Sequence, residues 1–130
     1  FVHLRPTTPI RKKIILNHAV SFFLKKQKKY TAMRSISKMS ESSFKTFKIK
    51  DSKLCSLNNN FKLDHFNNPK NSFPYTYFPN GYIDIVKTKN ILNNIIHGNK
   101  VLPYIVEGKI IDIDTKEDLQ YANYVYKSSD

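Results

Sequence analysis

The chain lacks cysteine pairs, long apolar runs and, for so basic a protein, arginine. A single cysteine, Cys55, excludes an internal disulfide, and with no second thiol there is no zinc-finger pattern; Cys55 reads as a small core residue. His3, His18, His65 and His97 show no metal-ligand spacing and read as structural or surface residues. No apolar run approaches the roughly 18 residues needed to span a bilayer. No charged segment followed by an apolar one opens the chain, so the expectation is a soluble, cytoplasmic protein without a membrane partner. Internal repeats are also missing.

What is abundant is lysine. The net charge is +12, yet nineteen of the 22 basic residues are lysine, spread from end to end. Base readout and bidentate phosphate contacts favour arginine, so the expectation is no nucleic-acid partner; a non-catalytic basic module that binds nucleic acid is the alternative. The three arginines, Arg5, Arg11 and Arg34, mark positions where a planar fork is wanted. With 130 residues and 40% hydrophobic content, the chain supports one domain with a modest core.

Phe1–Leu4 has β-propensity and stops at Arg5-Pro6, because proline biases its predecessor away from helix. The following loop, Arg5 to Arg11, carries two prolines, the hydroxyls of Thr7 and Thr8 and two guanidinium groups, so it either holds an anion or serves as a rigid strand-to-helix turn. Lys12 to about Gln27 is helical, with Ile15, Ala19, Phe22 and Phe23 on one stripe and a lysine run at the negative end of its dipole. Tyr30–Ser37 reads as a strand, which makes a parallel α/β unit the expectation. Phe44–Lys50 reads as a half-exposed strand of a hairpin, with Phe47 and Ile49 inward.

From Lys53 to Pro79 periodicity fades, asparagines cluster at 58–60 and 67–68, and three prolines punctuate an aromatic-rich stretch. An excursion of that length is either functional or makes contacts beyond its domain. Its aromatics, Phe61, Phe66, Phe73, Tyr75, Tyr77 and Phe78, call for cover from the domain itself or from a second subunit. Asn80-Gly81 reads as a turn and Tyr82–Val86 as a strand. Thr88 is the expected cap of a short helix carrying Ile91, Leu92, Ile95 and Ile96 and ended by Gly98. Val101–Val106 is a strand that Pro103 assigns to an edge or a strand start.

The stretch Ile110 to Asp118 reads as a buried strand entering a capped helix. Alternation places Asp112 and Asp114 on one face, about 7 Å apart, and Ile111 and Ile113 on the other. Two such carboxylates repel unless a cation intervenes, and a hard divalent metal is the natural guest; the alternative is that both are solvated. Thr115 and Asp118 have the spacing of a shortened capping box. The last helix is expected to turn Leu119, Ala122, Val125 and Tyr126 inward.

Four strings occur in the order seen in one family. Leu4 to Arg11 (LRPTTPIR) resembles the L-[QR]-P-T-S-P-L-R motif of the acylneuraminate cytidylyltransferases, the CMP-sialic acid and CMP-nonulosonate synthetases. Met33 to Ser42 (MRSISKMSES) resembles the segment that follows it. Pro79 to Ile85 (PNGYIDI) is similar to their N-G-x-[IV] strand, and Ile111 to Leu119 (IDIDTKEDL) to their I-D-I-D-T-x-x-D-L ending. The resemblance implies a Rossmann-like α/β nucleotidyltransferase three-layer sandwich, of which residues 1–130 would be the C-terminal part, with the N-terminal part and its glycine-rich CTP loop missing. Residues 53–79 would form a protruding dimerisation excursion of a homodimer.

The implied reaction transfers CMP from CTP to the anomeric hydroxyl of a nonulosonic acid (sialic, legionaminic or pseudaminic), releasing pyrophosphate, in the biosynthesis of cell-surface polysaccharide. Asp112 and Asp114 would be catalytic as ligands of Mg2+. Arg5, Thr7, Thr8, Arg11, Asn80 and Gly81 would bind substrate. Arg5 departs from a common glutamine of the family and Asp84 from a common tyrosine, and Lys70-Asn71 lacks an arginine-glutamine pair. A dimerisation half of a split enzyme is a further alternative.

Overall fold

In the computed structural model, which describes residues 1–58 and 61–128, the elements follow the chain as β1 (Val2–His3), α1 (Lys13–Lys26), β2 (Ala32–Lys38), β3 (Phe47–Lys50), β4 (Lys53–Ser56), β5 (Tyr77–Val86), α2 (Thr88–Leu92), β6 (Val101–Ile105) and α3 (Lys116–Lys127). Asn59 and Asn60 of the asparagine cluster lie outside the described residues. The chain divides into two units: Phe1–Ser37 with Pro79–Asp130, and Lys38–Phe78. The fold is mixed α/β, and no described helix is long and apolar enough to cross a membrane.

The first unit is built on a four-stranded sheet in the order β1-β5-β2-β6. β1 runs antiparallel to β5, with Val2 opposite Ile85 and His3 opposite Asp84. β6 runs parallel to β2, from Ala32 opposite Val101 to Ile36 opposite Ile105, so the sheet is mixed. α1 forms where the apolar stripe predicts: Ala19 and Phe23 are buried with Ile15, Leu16, Val20 and Phe22 beside them, against Met33, Ile83, Ile85, Leu102 and Tyr104. Burying a side chain of the size of Phe23 contributes about 2–3 kcal/mol. Lys25 and Lys26 in its last turn complement the dipole. The helix has no side-chain cap of its own; instead the Lys12 amide donates to the Tyr82 hydroxyl at 2.6 Å.

Three polar side chains inside the sheet, Ser35, Ser37 and Asn80, are paired in a way that ties β2 to its neighbours. The buried Ser35 hydroxyl accepts from the Ile83 amide at 2.9 Å. Ser37 donates to the Val106 carbonyl and accepts from the Asn80 side chain at 2.8 Å, and Asn80 also accepts from the Tyr82 amide.

Several sequence expectations are corrected here. Ile110–Asp114 is not a strand: among the described residues no strand pairs with it, although the alternation persists in that Ile111 is buried while Asp112 and Asp114 are exposed. Asn80-Gly81 is no turn: β5 runs through it, with Gly81 at φ +68°, a local break accommodated inside the strand. Thr88 is the first residue of α2 and not its cap, which is Lys87. Ile91, Leu92, Ile95 and Ile96 are exposed, Leu92 at 79%. In α3 only Ala122 is fully buried and Val125 half-buried, whereas Leu119 and Tyr126 are exposed.

The second unit, Lys38–Phe78, contains the hairpin the sequence leads one to expect, but later in the chain than Phe44. β3 and β4 pair from Phe47 opposite Ser56 to Lys50 opposite Lys53, around a two-residue turn in which Asp51 and Ser52 both have positive φ. That is the turn geometry whose twist matches a hairpin. A two-stranded ribbon has no second layer of its own, so Ile49 is 80% exposed and Phe47 is also exposed, contrary to the inward reading. Cys55 is half-buried in β4 rather than a core residue. Part of the aromatic excursion covers itself: Phe66 and Phe73 are buried, with ring centroids 4.6 Å between Phe47 and Phe66 and 5.5 Å between Phe61 and Phe73. Tyr75, Tyr77 and Phe78 remain exposed, with the Lys38 ammonium over the Tyr75 ring.

Candidate active site

The loop from Arg5 to Arg11 is shaped by a turn in which the Thr8 amide donates to the Arg5 carbonyl at 3.2 Å, with Pro6 at the position whose φ proline pre-sets. Arg11 then ties the loop to β5. Its Nε donates to the Tyr82 carbonyl at 2.7 Å, and its Nη2 donates to the Arg5 carbonyl at 2.7 Å and to the Gly81 carbonyl at 3.2 Å. Its guanidinium also lies 5.8 Å from the Tyr82 ring centroid. Burial lowers the Arg11 pKa from its ordinary value, and the nearby Tyr82 and Asp112 act in the opposite direction.

Glycine at position 81 has a definite reason. A Cβ there would lie 2.9 Å from the Arg5 Cδ and 3.0 Å from the Thr8 Oγ1, in a backbone conformation that side-chain-bearing residues avoid. The Arg5 side chain therefore lies over the β5 backbone because residue 81 has none of its own. Asn80, one residue earlier, is buried and committed to Ser37 and to the Tyr82 amide, so it shapes this break in β5 from within.

The Ile111–Asp114 segment reaches the same loop. The Ile113 amide donates to the Thr7 carbonyl at 2.7 Å, and the Thr8 hydroxyl donates to Asp112 Oδ1 at 3.3 Å. Asp114 is exposed, and its amide donates to Asp118. Asp118 in turn accepts from the Thr115 amide and hydroxyl, and its own amide returns to the Thr115 hydroxyl, which is the expected capping box. These hydrogen bonds, those of Thr115 foremost, lower the Asp118 pKa.

No family model matches the chain, and no curated protein matches it. Of the sequence-predicted residues, Arg5, Thr8, Arg11, Gly81 and Asp112 meet directly, Thr7 is tied in only through its backbone carbonyl, which accepts from the Ile113 amide, Asp114 stands two residues from Asp112, and Asn80 supports Gly81 from inside the strand. Beside them Ile10, Arg11, Ile113, Leu119, Ala122 and Tyr126 line a cleft of about 440 Å³.

Among the described residues no three His, Cys, Asp or Glu side chains gather to hold a metal ion. Asp112 and Asp114 offer two exposed oxygen donors, a set that suits a hard divalent cation completing its shell with water and phosphate oxygens. Sequence reading missed Tyr82, whose hydroxyl and carbonyl serve both the start of α1 and Arg11. Tyr82 is also a buried member of the core, and no local sequence pattern marks the polar contacts of its hydroxyl and carbonyl.

Proposed function

We propose that this chain belongs to a cytidylyltransferase that transfers CMP from CTP to the anomeric hydroxyl of a nonulosonic acid and releases pyrophosphate, on a Rossmann-like nucleotidyltransferase fold. The observation that supports it best is a convergence. The stretches that resemble the acylneuraminate cytidylyltransferases at Leu4–Arg11, Pro79–Ile85 and Ile111–Leu119 are far apart in the chain, yet they meet through Thr8 and Asp112, Thr7 and Ile113, and Arg11 and Gly81.

Within this reading each side chain has a distinct task. Arg5, held over Gly81, presents a planar fork to the sugar carboxylate or a phosphate. The exposed Thr7 adds a hydroxyl donor beside it. Thr8 and Arg11 position: the first orients Asp112, and the second fixes the loop to β5. Asp112 and Asp114 hold Mg2+, which when bound supplies neutralisation of charge developing on the transferring phosphoryl group. Attack by the anomeric oxygen forms a bond to the α-phosphorus as the bond to pyrophosphate breaks. Cytoplasmic location and a homodimer formed through residues 53–79, using the exposed Tyr75 and Tyr77, complete the proposal.

The test is pyrophosphate release by the full-length protein from CTP, Mg2+ and a nonulosonic acid, with release expected only when all three are present. A protein that releases none with any nonulosonic acid, or that turns over CTP equally without the sugar, overturns the reading.

A further inference from the structure

The cleft of about 440 Å³ beside the Arg5–Arg11 loop lies wholly within the first unit, and the proposed reaction does not use it. One side of it is a face of α3. Leu119, Ala122, Asn123 and Tyr126 follow the three- and four-residue spacing that gathers side chains on one side of a helix, and Pro9, Ile10 and Ile113 supply the rest of a mostly apolar lining. Ala122 is buried, but Leu119 and Tyr126 are 48% and 64% exposed, so the stripe stops short of the core and the cleft opens to solvent.

The charges that line this cleft have one sign. Arg11 and Lys12 border it, and no aspartate or glutamate does. Among the described residues the approaches of a cation to a carboxylate, Arg34 at 3.7 Å and His97 at 4.0 Å, both fall on Asp84, so neither Arg11 nor Lys12 has an ion-pair partner. The three hydrogen bonds of Arg11 go to neutral carbonyls through Nε and Nη2, which leaves Nη1 without a partner among the described residues. Lys12 bonds through its backbone alone. Asp112, which acts on Arg11 from beyond ion-pair distance, is held by the Thr8 hydroxyl. Asn123 adds an exposed amide that can both donate and accept.

We propose that this cleft binds an aromatic carboxylate, a small molecule whose flat ring lies on the apolar lining while its acid group meets Arg11 and Lys12. Small-molecule sites run from about 300 to 1,000 Å³ and are apolar with a few polar groups, which is the character of this one. A flat ring suits a cleft edged by the rings of Tyr126 and Pro9. The carboxylate supplies the counter-charge that the two cations lack, with the guanidinium as a charge-assisted donor. A cationic ligand is repelled. The inference stands on this geometry and charge alone and does not depend on the proposed reaction.

The test titrates the isotopically labelled full chain with indole-3-acetate and follows the nuclear magnetic resonance signals of the Ile10 and Ile113 methyl groups and the Asn123 side-chain amide. All three are expected to move along one saturation curve. Tryptamine, which carries the same ring on a cation, is expected to bind at least tenfold more weakly. Leu119→Glu puts an acid at an exposed position of the cleft and is expected to weaken indole-3-acetate at least tenfold. Leu24→Glu, at an exposed leucine of α1 outside the cleft, makes the same change in net charge and is expected to leave binding unaltered. Absence of saturable shifts at Ile10 and Ile113, equal binding of tryptamine, or equal weakening by the two glutamates would each overturn the site. Shifts that climb without saturating at lysines along the whole chain, as a basic surface gives with any anion, would overturn it as well. The two wild-type titrations decide the matter even if a variant fails to fold.

Discussion

The hydroxyl of Thr8, a residue with no exposed surface, donates to Asp112 Oδ1 across 3.3 Å and so joins two positions 104 residues apart. Thr8→Val removes that donor while keeping the volume. The expected cost is about 1 kcal/mol, read as a lower urea midpoint. Mn2+ affinity, followed by paramagnetic broadening of the Asp112 and Asp114 signals, is expected to fall as well, whereas Thr8→Ser should retain it. Unchanged metal affinity in Thr8→Val would show that Asp112 does not depend on Thr8 for its orientation.

Gly81→Ala places a methyl group against the Arg5 side chain and forces alanine into the left-handed region. Backbone strain of this kind costs about 1–2 kcal/mol. Combining it with Arg5→Ala is expected to recover the steric part alone. Urea unfolding of the two variants measures the division, and full recovery in the double variant would exclude backbone strain.

Arg11→Lys keeps the charge and loses the fork that reaches the carbonyls of Arg5, Gly81 and Tyr82. Hydrogen bonds from a charged donor are worth about 1.5–3 kcal/mol each, so this substitution is expected to cost at least one such bond. Faster amide hydrogen exchange through residues 5–11 is the accompanying signature. A variant with wild-type exchange in that loop would argue against Arg11 as its tie to β5.

Asp118 supplies a pH dependence whose sign follows from its partners. Hydrogen bonds from Thr115 and Asp114 depress its folded-state pKa, so the cap's contribution is fully present above the unfolded-state value and is lost as the pH falls through the depressed one. Acidification below the ordinary carboxylate range should therefore fray the start of α3. Asp118→Asn should flatten this acid limb, observed through the amide signals of Lys116 to Leu119 across a pH series.

Asp112→Asn and Asp114→Asn preserve shape and remove one charge each from the proposed metal site. Turnover by the full-length protein at limiting Mg2+ is expected to fall by orders of magnitude, because a metal's stabilisation of a transferring phosphoryl group amounts to several kcal/mol and each 1.4 kcal/mol or so is a factor of ten. Asp118→Asn, whose carboxylate serves the cap, should leave turnover nearly intact. Near-normal rates in both of the first two variants would remove the metal assignment.

Features governed by local chemistry were legible in the residues themselves. Proline after Arg5, the stripe through Ala19 and Phe23, the Thr115/Asp118 cap and the edge position of Pro103 all depend on neighbours within a few residues, and all appear in the structure. Ile110–Asp114 misled because alternation reports which way side chains face and says nothing about whether a neighbouring strand exists to pair with. Asn80-Gly81 misled because its turn preference yields to the pairing of β5 on either side, leaving only the positive φ of Gly81. Phe47 and Ile49 alternate like buried residues, but a two-stranded ribbon has no second layer of its own, so Ile49 stays exposed and Phe47 finds only the partial cover of Phe66. The approach of Arg34 and His97 to Asp84 carries no local signal at all, since it is assembled from β2, β5 and the segment after α2.

Pro103, opposite Arg34 in β6, bears on how the molecule behaves when crowded with copies of itself. β6 ends the sheet, and the outer rim of an end strand is a template on which a foreign strand can add and begin fibrillar growth. Proline carries no amide hydrogen, so it leaves no donor at that point in the five-residue strand. The short length of β6 and this missing donor together guard the rim against strand-by-strand aggregation.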